Sequence, residues 1–191
     1  MHKPQNSSRE QSKDYYFFKK IVMKTTLSIG LLLVVGLFTA SAQSPRSEEQ
    51  KIAAILDAWH KAAAQAQFDA YFGLMTSDAI FIGTDAKENW NKTAFQAFAK
   101  PYFDRGKAWN FTAIERHIFL DAKGKIAWFD ELLSTQMKIC RGSGVLEKVG
   151  KEWKIKHYVL SMTIPNENVD EVVKIKTPIE DGVMKQLTTK E

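Results

Sequence analysis

The apolar residues of the chain recur first at helical spacing and later at strand spacing. Ile52, Leu56 and Trp59 mark one face of a helix that begins after Ser47. Gln50 stands three residues beyond Ser47, as a capping box requires. The pattern predicts a second, shorter helix over 68–75. It predicts a third from 91 to 106, which Pro101 should kink or split.

Beyond residue 110 the spacing becomes typical of β-strands. We predict strands over 111–120, 125–134, 136–148 and 153–162, with a short earlier strand over 79–82. Tight reversals between the four long runs indicate an antiparallel meander. Helices followed by an antiparallel sheet predict an α+β fold in which the helices cover one sheet face. Residues 166–191 read as a polar C-terminal tail, irregular apart from one possible turn of helix or strand near 169–175.

An apolar run near the N-terminus predicts export. Leu27–Phe38 follows several lysines and precedes Ala40-Ser41-Ala42, which is typical of a secretory signal peptide over 1–42. The run is shorter than the roughly 20 residues of a membrane-spanning helix. We therefore expect no membrane anchor after cleavage, and a periplasmic or secreted protein. Met23 is the better start, residues 1–22 look like an upstream-start extension, and residues 43–47 form a linker.

The positive charge of the chain lies mostly in this leader. The whole chain has a formal net charge of +5. Residues 1–42 hold six of the 27 Lys and Arg and two of the 22 Asp and Glu, so the remainder is close to neutral. A nucleic-acid-binding protein needs a basic patch, so we expect no nucleic acid partner. The single cysteine, Cys140, cannot form an internal disulfide and reads as a small core residue.

Two segments resemble a known domain type. Phe81-Ile82-Gly83-Thr84-Asp85 with Glu88-Asn89-Trp90 resembles the Gly-Thr-Asp…Glu-x-Trp stretch of SnoaL-like domains, and residues 153–161 resemble their closing strand. The resemblance spans residues 48–165. It implies the cone-shaped nuclear transport factor 2-like fold, with three N-terminal helices packed on a curved antiparallel sheet. That superfamily includes ketosteroid isomerase-like enzymes, polyketide cyclases, dehydratases and association domains, so the fold does not fix the activity.

The cone fold also implies a cavity, and the aromatic residues lie where the helices and the inner face of the sheet should meet. Large apolar pockets with a few polar groups are the usual ligand sites. The alternative is that the rings simply fill the core. The expected lining residues are Trp59, Phe81, Trp90, Phe98, Tyr102, Trp109, Trp128, Asp130, Arg141 and His157.

Strand alternation singles out three polar residues in this set. Asp130 shares a strand face with Trp128, and His157 is flanked by apolar side chains two residues away on either side. Apolar surroundings would raise the pKa of Asp130 toward that of a general base, with His157 orienting it or taking the proton. Arg141 could neutralise a substrate anion. The alternative is an Asp130–Arg141 ion pair and a hydrogen-bonded core histidine, both purely structural.

The sequence contains no motif for metal binding, phosphate binding or nucleophilic catalysis. The histidines have no metal-ligand spacing with acids, residues 141–144 lie in a strand rather than a phosphate loop, and no nucleophile elbow occurs. We therefore expect neither a metal nor a cofactor.

Three functions remain open. The first is an exported domain that binds a hydrophobic small molecule with one polar or anionic group. The second is an isomerase, cyclase or dehydratase that uses Asp130 and His157. The third is a protein-interaction module, a homodimer formed through an apolar outer sheet face of Ala127, Phe129 and Leu133.

Overall fold

The computed structural model describes residues 47–189 of the chain. The expected signal peptide, the start at Met23 and the linker up to residue 46 lie outside the described residues.

Residues 47–189 contain four α-helices and six β-strands. The helices are α1 (Glu48–Ala64), α2 (Phe68–Gly73), α3 (Lys92–Asp104) and α4 (Val169–Thr188), the last preceded by a 3-10 turn at Asn166–Asn168. The strands are β1 (Met75–Ile82), β2 (Asn89–Asn91), β3 (Thr112–Leu120), β4 (Ile126–Thr135), β5 (Lys138–Val149) and β6 (Glu152–Met162).

The strands form one curved sheet in the order β2-β1-β6-β5-β4-β3. The predicted meander is confirmed, because β3, β4, β5 and β6 pair antiparallel in sequence order. The sheet is mixed rather than wholly antiparallel, since β1 pairs parallel with β6. Helices α1 to α3 precede the long strands and pack near them, so the α+β class is confirmed.

Local sequence explains where the helices begin. The Ser47 hydroxyl accepts a hydrogen bond from the Gln50 backbone N–H, and the Gln50 side chain accepts one from the Ser47 N–H, which confirms the capping box. The Asn91 side chain caps α3 through the Ala94 N–H. Pro101 does not split α3, because it lies one turn from the C-terminal end and costs the helix a single hydrogen bond.

The C-terminal segment is helical, where the sequence led us to expect an irregular tail. Val172, Ile175, Ile179 and Val183 recur at helical spacing in α4, a pattern obscured by the many charges between them. No α4 side chain is buried. Between residues 47 and 189 the structure has no helix long and apolar enough to cross a membrane.

Strand β4 faces the core with the opposite set of side chains from the one we expected. Ala127, Phe129 and Leu133 are buried, so they cannot form the outer dimer surface proposed for them. Trp128 is instead 45% exposed, on the face turned away from the helices. The alternation of side chains along β4 shows which residues share a face of the strand, but it does not show which of the two faces the helices cover.

Candidate functional site

The structure separates the ten predicted pocket residues. Four of them, Phe81, Trp90, Phe98 and Trp109, line one pocket. Trp59 is fully packed in the core. The remaining five line neither this pocket nor the groove described below: Tyr102, Trp128, Asp130, Arg141 and His157.

The pocket, hereafter the aromatic pocket, has a volume of about 170 Å³. It lies between the β1–β2 loop, α3, the segment before β3 and the β4–β5 turn. Its twelve lining residues are Phe81, Gly83, Thr84, Glu88, Trp90, Phe95, Phe98, Trp109, Phe111, Gln136, Met137 and Leu160.

Five of the six aromatic rings of the pocket are nearly parallel to one another. Phe81 and Phe95 stack at 3.9 Å between centroids with planes 17° apart, and Trp90 stacks on Phe98 at 4.4 Å and 23°. Trp109 lies 5.8 Å from Phe95 at 22°. Parallel, offset rings are a favourable aromatic arrangement. The stack therefore gives the pocket flat walls.

Glu88 brings a carboxylate to this apolar pocket. Its Oε2 accepts a hydrogen bond of 3.1 Å from the Asp85 N–H, within the β1–β2 loop. The loop is closed further by the Gly83 N–H donating to the Glu88 carbonyl at 2.8 Å. A Cβ on residue 83 would lie 2.1 Å from Glu88 Oε2, so only glycine leaves room for the carboxylate there.

The predicted group of Asp130, Arg141 and His157 is not assembled. Asp130 Oδ1 instead lies 3.0 Å from Nδ1 of His117, on the exposed outer face of the sheet. The hydrogen bond and charge of Asp130 raise the pKa of His117 above its usual value. Arg141 is exposed and pairs in the sheet with Leu132 rather than Asp130.

An irregularity in β6 accounts for the position of His157. The β5–β6 register shifts between Val145, opposite His157, and Leu146, opposite Ile155. Lys156 is the extra residue of this bulge, and the burial alternation reverses across it. His157 therefore stands on the outer face, two strands away from β4, and not on the face of Ile155 as alternation predicted.

A different acid–histidine pair is buried between α1 and the sheet. The carboxylate of Glu131, only 1% exposed, lies 2.8 Å from His60 Nε2 and accepts a hydrogen bond of 3.2 Å from the Tyr158 hydroxyl. Its other oxygen accepts a hydrogen bond of 2.8 Å from Arg116 Nε. Arg116 also forms an ion pair with Asp57 at 2.8 Å. We call these five residues the polar cluster.

The electrostatics of the polar cluster favour an ionised Glu131. Burial opposes ionisation, but the hydrogen bond and charge of His60 and the charge of Arg116 outweigh it, so the pKa of Glu131 is lowered. Burial and the nearby charge of Glu131 raise the pKa of Tyr158 well above its usual value. Tyr158 therefore remains a protonated donor to the carboxylate.

His60 connects the polar cluster to a surface groove of about 330 Å³, lined by Asp57, His60, Lys61, Ala64, Asn110, Phe111, Thr112 and Ala113. Nε2 of His60 faces the Glu131 carboxylate, so Nδ1 is the ring nitrogen left to contact a ligand. Among the described residues Nδ1 has no hydrogen-bond partner. The arrangement suits proton transfer, because the carboxylate holds the imidazole in one orientation.

The sequence contained a signal for this cluster. His60 follows Leu56 by four residues, which places it on the buried stripe of α1. Glu131 likewise alternates with Phe129 and Leu133. A charged side chain on the same face as buried apolar side chains needs a hydrogen-bonding or oppositely charged partner. The sequence therefore indicates that His60 and Glu131 need such partners, although it does not identify them.

No group of three His, Cys, Asp or Glu side chains in residues 47–189 has the geometry of a metal site.

Comparison with known proteins identifies the domain type. The SnoaL-like domain family matches residues 52–165. No curated protein sequence matches the chain significantly.

Solved structures share the fold at low sequence identity. A cystatin-like-fold domain of unknown function from Nostoc punctiforme is 14% identical, with a TM-score of 0.55 over 76% of this chain and 94% of that one. An NTF2-like protein of unknown function from Pseudomonas putida is 13% identical, with a TM-score of 0.54 over 65% and 94%. The association domain of C. elegans CaMKII is 17% identical, with a TM-score of 0.50 over 60% and 95%. These likenesses establish the fold.

Proposed function

Because the chain belongs to the SnoaL-like domain family, we propose that it binds a small, largely apolar molecule in the aromatic pocket. The observation that carries this proposal is a pocket with six aromatic residues among its twelve lining residues. Its volume of about 170 Å³ is close to the roughly 150 Å³ of a cavity known to hold benzene. The expected ligand is therefore a single-ring compound or one of similar size, rather than a molecule as large as a steroid.

Binding of single-ring compounds tests this function. Phenol and benzyl alcohol should perturb the NMR signals of Trp90 and Trp109, and Phe98→Ala should weaken their binding about 2- to 10-fold through lost stacking. Phe119→Ala is the matched control, because Phe119 is 46% exposed on the outer face and Phe98 is 38% exposed at the pocket. If no such compound binds up to its solubility limit, the proposal is wrong.

Export belongs to the same proposal. The apolar run Leu27–Phe38 and the Ala40-Ser41-Ala42 segment support cleavage by a signal peptidase and a periplasmic or secreted location. Expression in a Gram-negative host should give a mature chain that begins at Gln43 or within two residues of it. Mass spectrometry that finds residues 1–42 intact on soluble cytoplasmic protein would contradict export.

The polar cluster favours a second candidate function, an enzyme of the isomerase, cyclase or dehydratase type. The proton-transferring group would be His60, oriented by Glu131, in place of the pair Asp130 and His157. Deuterium exchange into a carbon acid such as acetylacetone, followed by NMR, tests it. His60→Gln should abolish any exchange above the buffer rate, whereas Asp130→Asn should not change it.

The exposed outer face of the sheet supports a homodimer. Phe119 and Trp128 stack there at 5.8 Å with planes 17° apart, and each is nearly half exposed. The C. elegans neighbour is an association domain, which is consistent with assembly of this chain through the same fold. The dimer surface we propose is thus the face opposite to Ala127, Phe129 and Leu133.

A further inference from the structure

The charge of the aromatic pocket points to the kind of molecule it selects. Glu88 is the single charged residue among the twelve that line it, and no Lys, Arg or His lines it. We infer that the pocket selects a small organic cation, a substituted ammonium group on a body no larger than one ring, with Glu88 as its counter-charge. This inference rests on the proposed small-molecule-binding function.

The Glu88 carboxylate is held in place and lacks a counter-charge. It is half-buried, accepts a hydrogen bond from the Asp85 N–H and lies over Gly83, where no side chain obstructs it. No Lys, Arg or His of the described residues lies within ion-pair distance of it. Most other half-buried acids of the domain have such a partner; Glu48, for example, pairs with Lys148 at 2.7 Å. A fixed, unpaired carboxylate beside apolar walls favours a cationic ligand.

The rings add to this preference. The face of an aromatic ring carries partial negative charge, and a cation within about 6 Å of the ring centre is attracted to it. Trp90, Phe98 and Trp109 all lie around the same pocket as the carboxylate. Aromatic side chains grouped around one acid are the arrangement that recognises substituted ammonium ions.

The same features disfavour an anion. Arg141, which the sequence suggested for neutralising an anionic group, is exposed and does not line the pocket. An anionic ligand would meet the Glu88 charge without a basic side chain to offset it. We therefore assign a positively charged group to the ligand, in place of the anionic group that the sequence suggested.

Pairs of ligands that differ only in charge test the inference. Choline is compared with its uncharged analogue 3,3-dimethylbutan-1-ol, benzylamine with benzyl alcohol, and benzoate serves as the anion. By isothermal titration calorimetry at pH 7 and low salt, each cation should bind at least tenfold more tightly than its neutral analogue. Benzoate should bind more weakly than benzyl alcohol. Raising the salt to 0.5 M should reduce the preference.

Variants assign the preference to Glu88. Glu88→Gln keeps the shape of the side chain and should bring the affinity for each cation down to that for its neutral analogue, without changing the binding of benzyl alcohol. Retained binding of benzyl alcohol also shows that the variant is folded. Glu152→Gln, 75% exposed on its side chain and outside the aromatic pocket, is the matched control and should change nothing.

The outcomes distinguish this inference from the proposed function. Equal binding of cations and neutral analogues, or a cation preference that survives Glu88→Gln, would overturn the inference while the pocket remains a ligand site. If neither cations nor neutral ring compounds bind, the proposed function falls and the inference falls with it.

Discussion

Nε2 of His60 lies 2.8 Å from Oε1 of Glu131, and both side chains are almost completely buried. The contact joins the C-terminal part of α1 to the central part of β4. Arg116 extends it to the neighbouring strand β3 by donating to the other carboxylate oxygen of Glu131. A buried carboxylate is stable only when its charge and lone pairs are satisfied, so these contacts fix how α1 sits on the sheet.

Removal of the Glu131 charge should destabilise the fold strongly. Glu131→Gln leaves His60 and Arg116 without their anion, and breaking one side of a buried pair costs about 3–5 kcal/mol. Asp130→Asn is the matched control on the adjacent residue. Its side chain is 45% exposed, so its effect on the free energy of unfolding should be small. Urea unfolding of both variants measures the difference.

Equal stabilities for the two variants would show that Glu131 is not the buried, paired carboxylate described here.

The sequence predicted the element order well because that order depends on local patterns. Capping at Ser47, helical spacing in α1 and the turns around Gly124 and Gly150 are each determined by a few adjacent residues. The parallel pairing of β1 with β6 joins residues 77 to 80 positions apart, and no local pattern reports it. Helix α4 was missed because its apolar positions are interrupted by charges and it buries no side chain.

The candidate site could be predicted only in part. Phe81 and Trp90 line a pocket in the structure, and they belong to the segment that resembles the motif of the domain type. Asp130 and His157 were misplaced for two physical reasons. Alternation does not say which face of β4 the helices cover, and the bulge at Lys156 reverses the alternation in β6.

The exposed pair of His117 and Asp130 should titrate as a unit. Asp130 raises the pKa of His117, so Asp130→Asn should lower it toward the ordinary value of about 6.5. Because the folded-state pKa is raised, the pair stabilises the fold below the unfolded histidine pKa, and this stabilisation disappears as the pH rises through the folded value. NMR titration of the His117 ring measures the shift. An unchanged pKa in Asp130→Asn would rule out the contact.

Gly144 should not tolerate a side chain. A Cβ there would lie 2.3 Å from the His157 carbonyl oxygen on β6 and 2.9 Å from a Phe129 ring carbon. Gly144→Ala should therefore cost about 1–3 kcal/mol, as overpacking typically does. Gly182→Ala in α4 is the control, because no atom lies within 4 Å of its Cβ and alanine favours a helix. Thermal unfolding should show a lower midpoint temperature for Gly144→Ala than for the wild type, and no decrease for Gly182→Ala. Equal midpoints for the two variants would contradict the close β5–β6 contact.

The outer face of the sheet should carry the contact between two copies of the chain. Trp128 stacks on Phe119 there, and Leu132, Val145 and Val159 are further apolar side chains on the same face, with the His117–Asp130 pair among them. An exposed apolar surface of this kind marks an interaction site more often than it is left in water. Trp128→Glu would place a charge at the centre of the proposed contact. Multi-angle light scattering at tens of micromolar should give a dimer for the wild type and a monomer for this variant.

The control for this experiment is Ile175→Glu, which adds the same charge to α4. Ile175 is 74% exposed, and its helix makes few contacts with the sheet, so the variant should remain dimeric. Both substitutions replace exposed side chains, so neither should unfold the domain, and circular dichroism checks this. A wild-type monomer would disprove the dimer. A Trp128→Glu dimer as stable as the wild type would place the contact elsewhere, because a carboxylate buried without a partner could not be accommodated at the centre of an apolar interface.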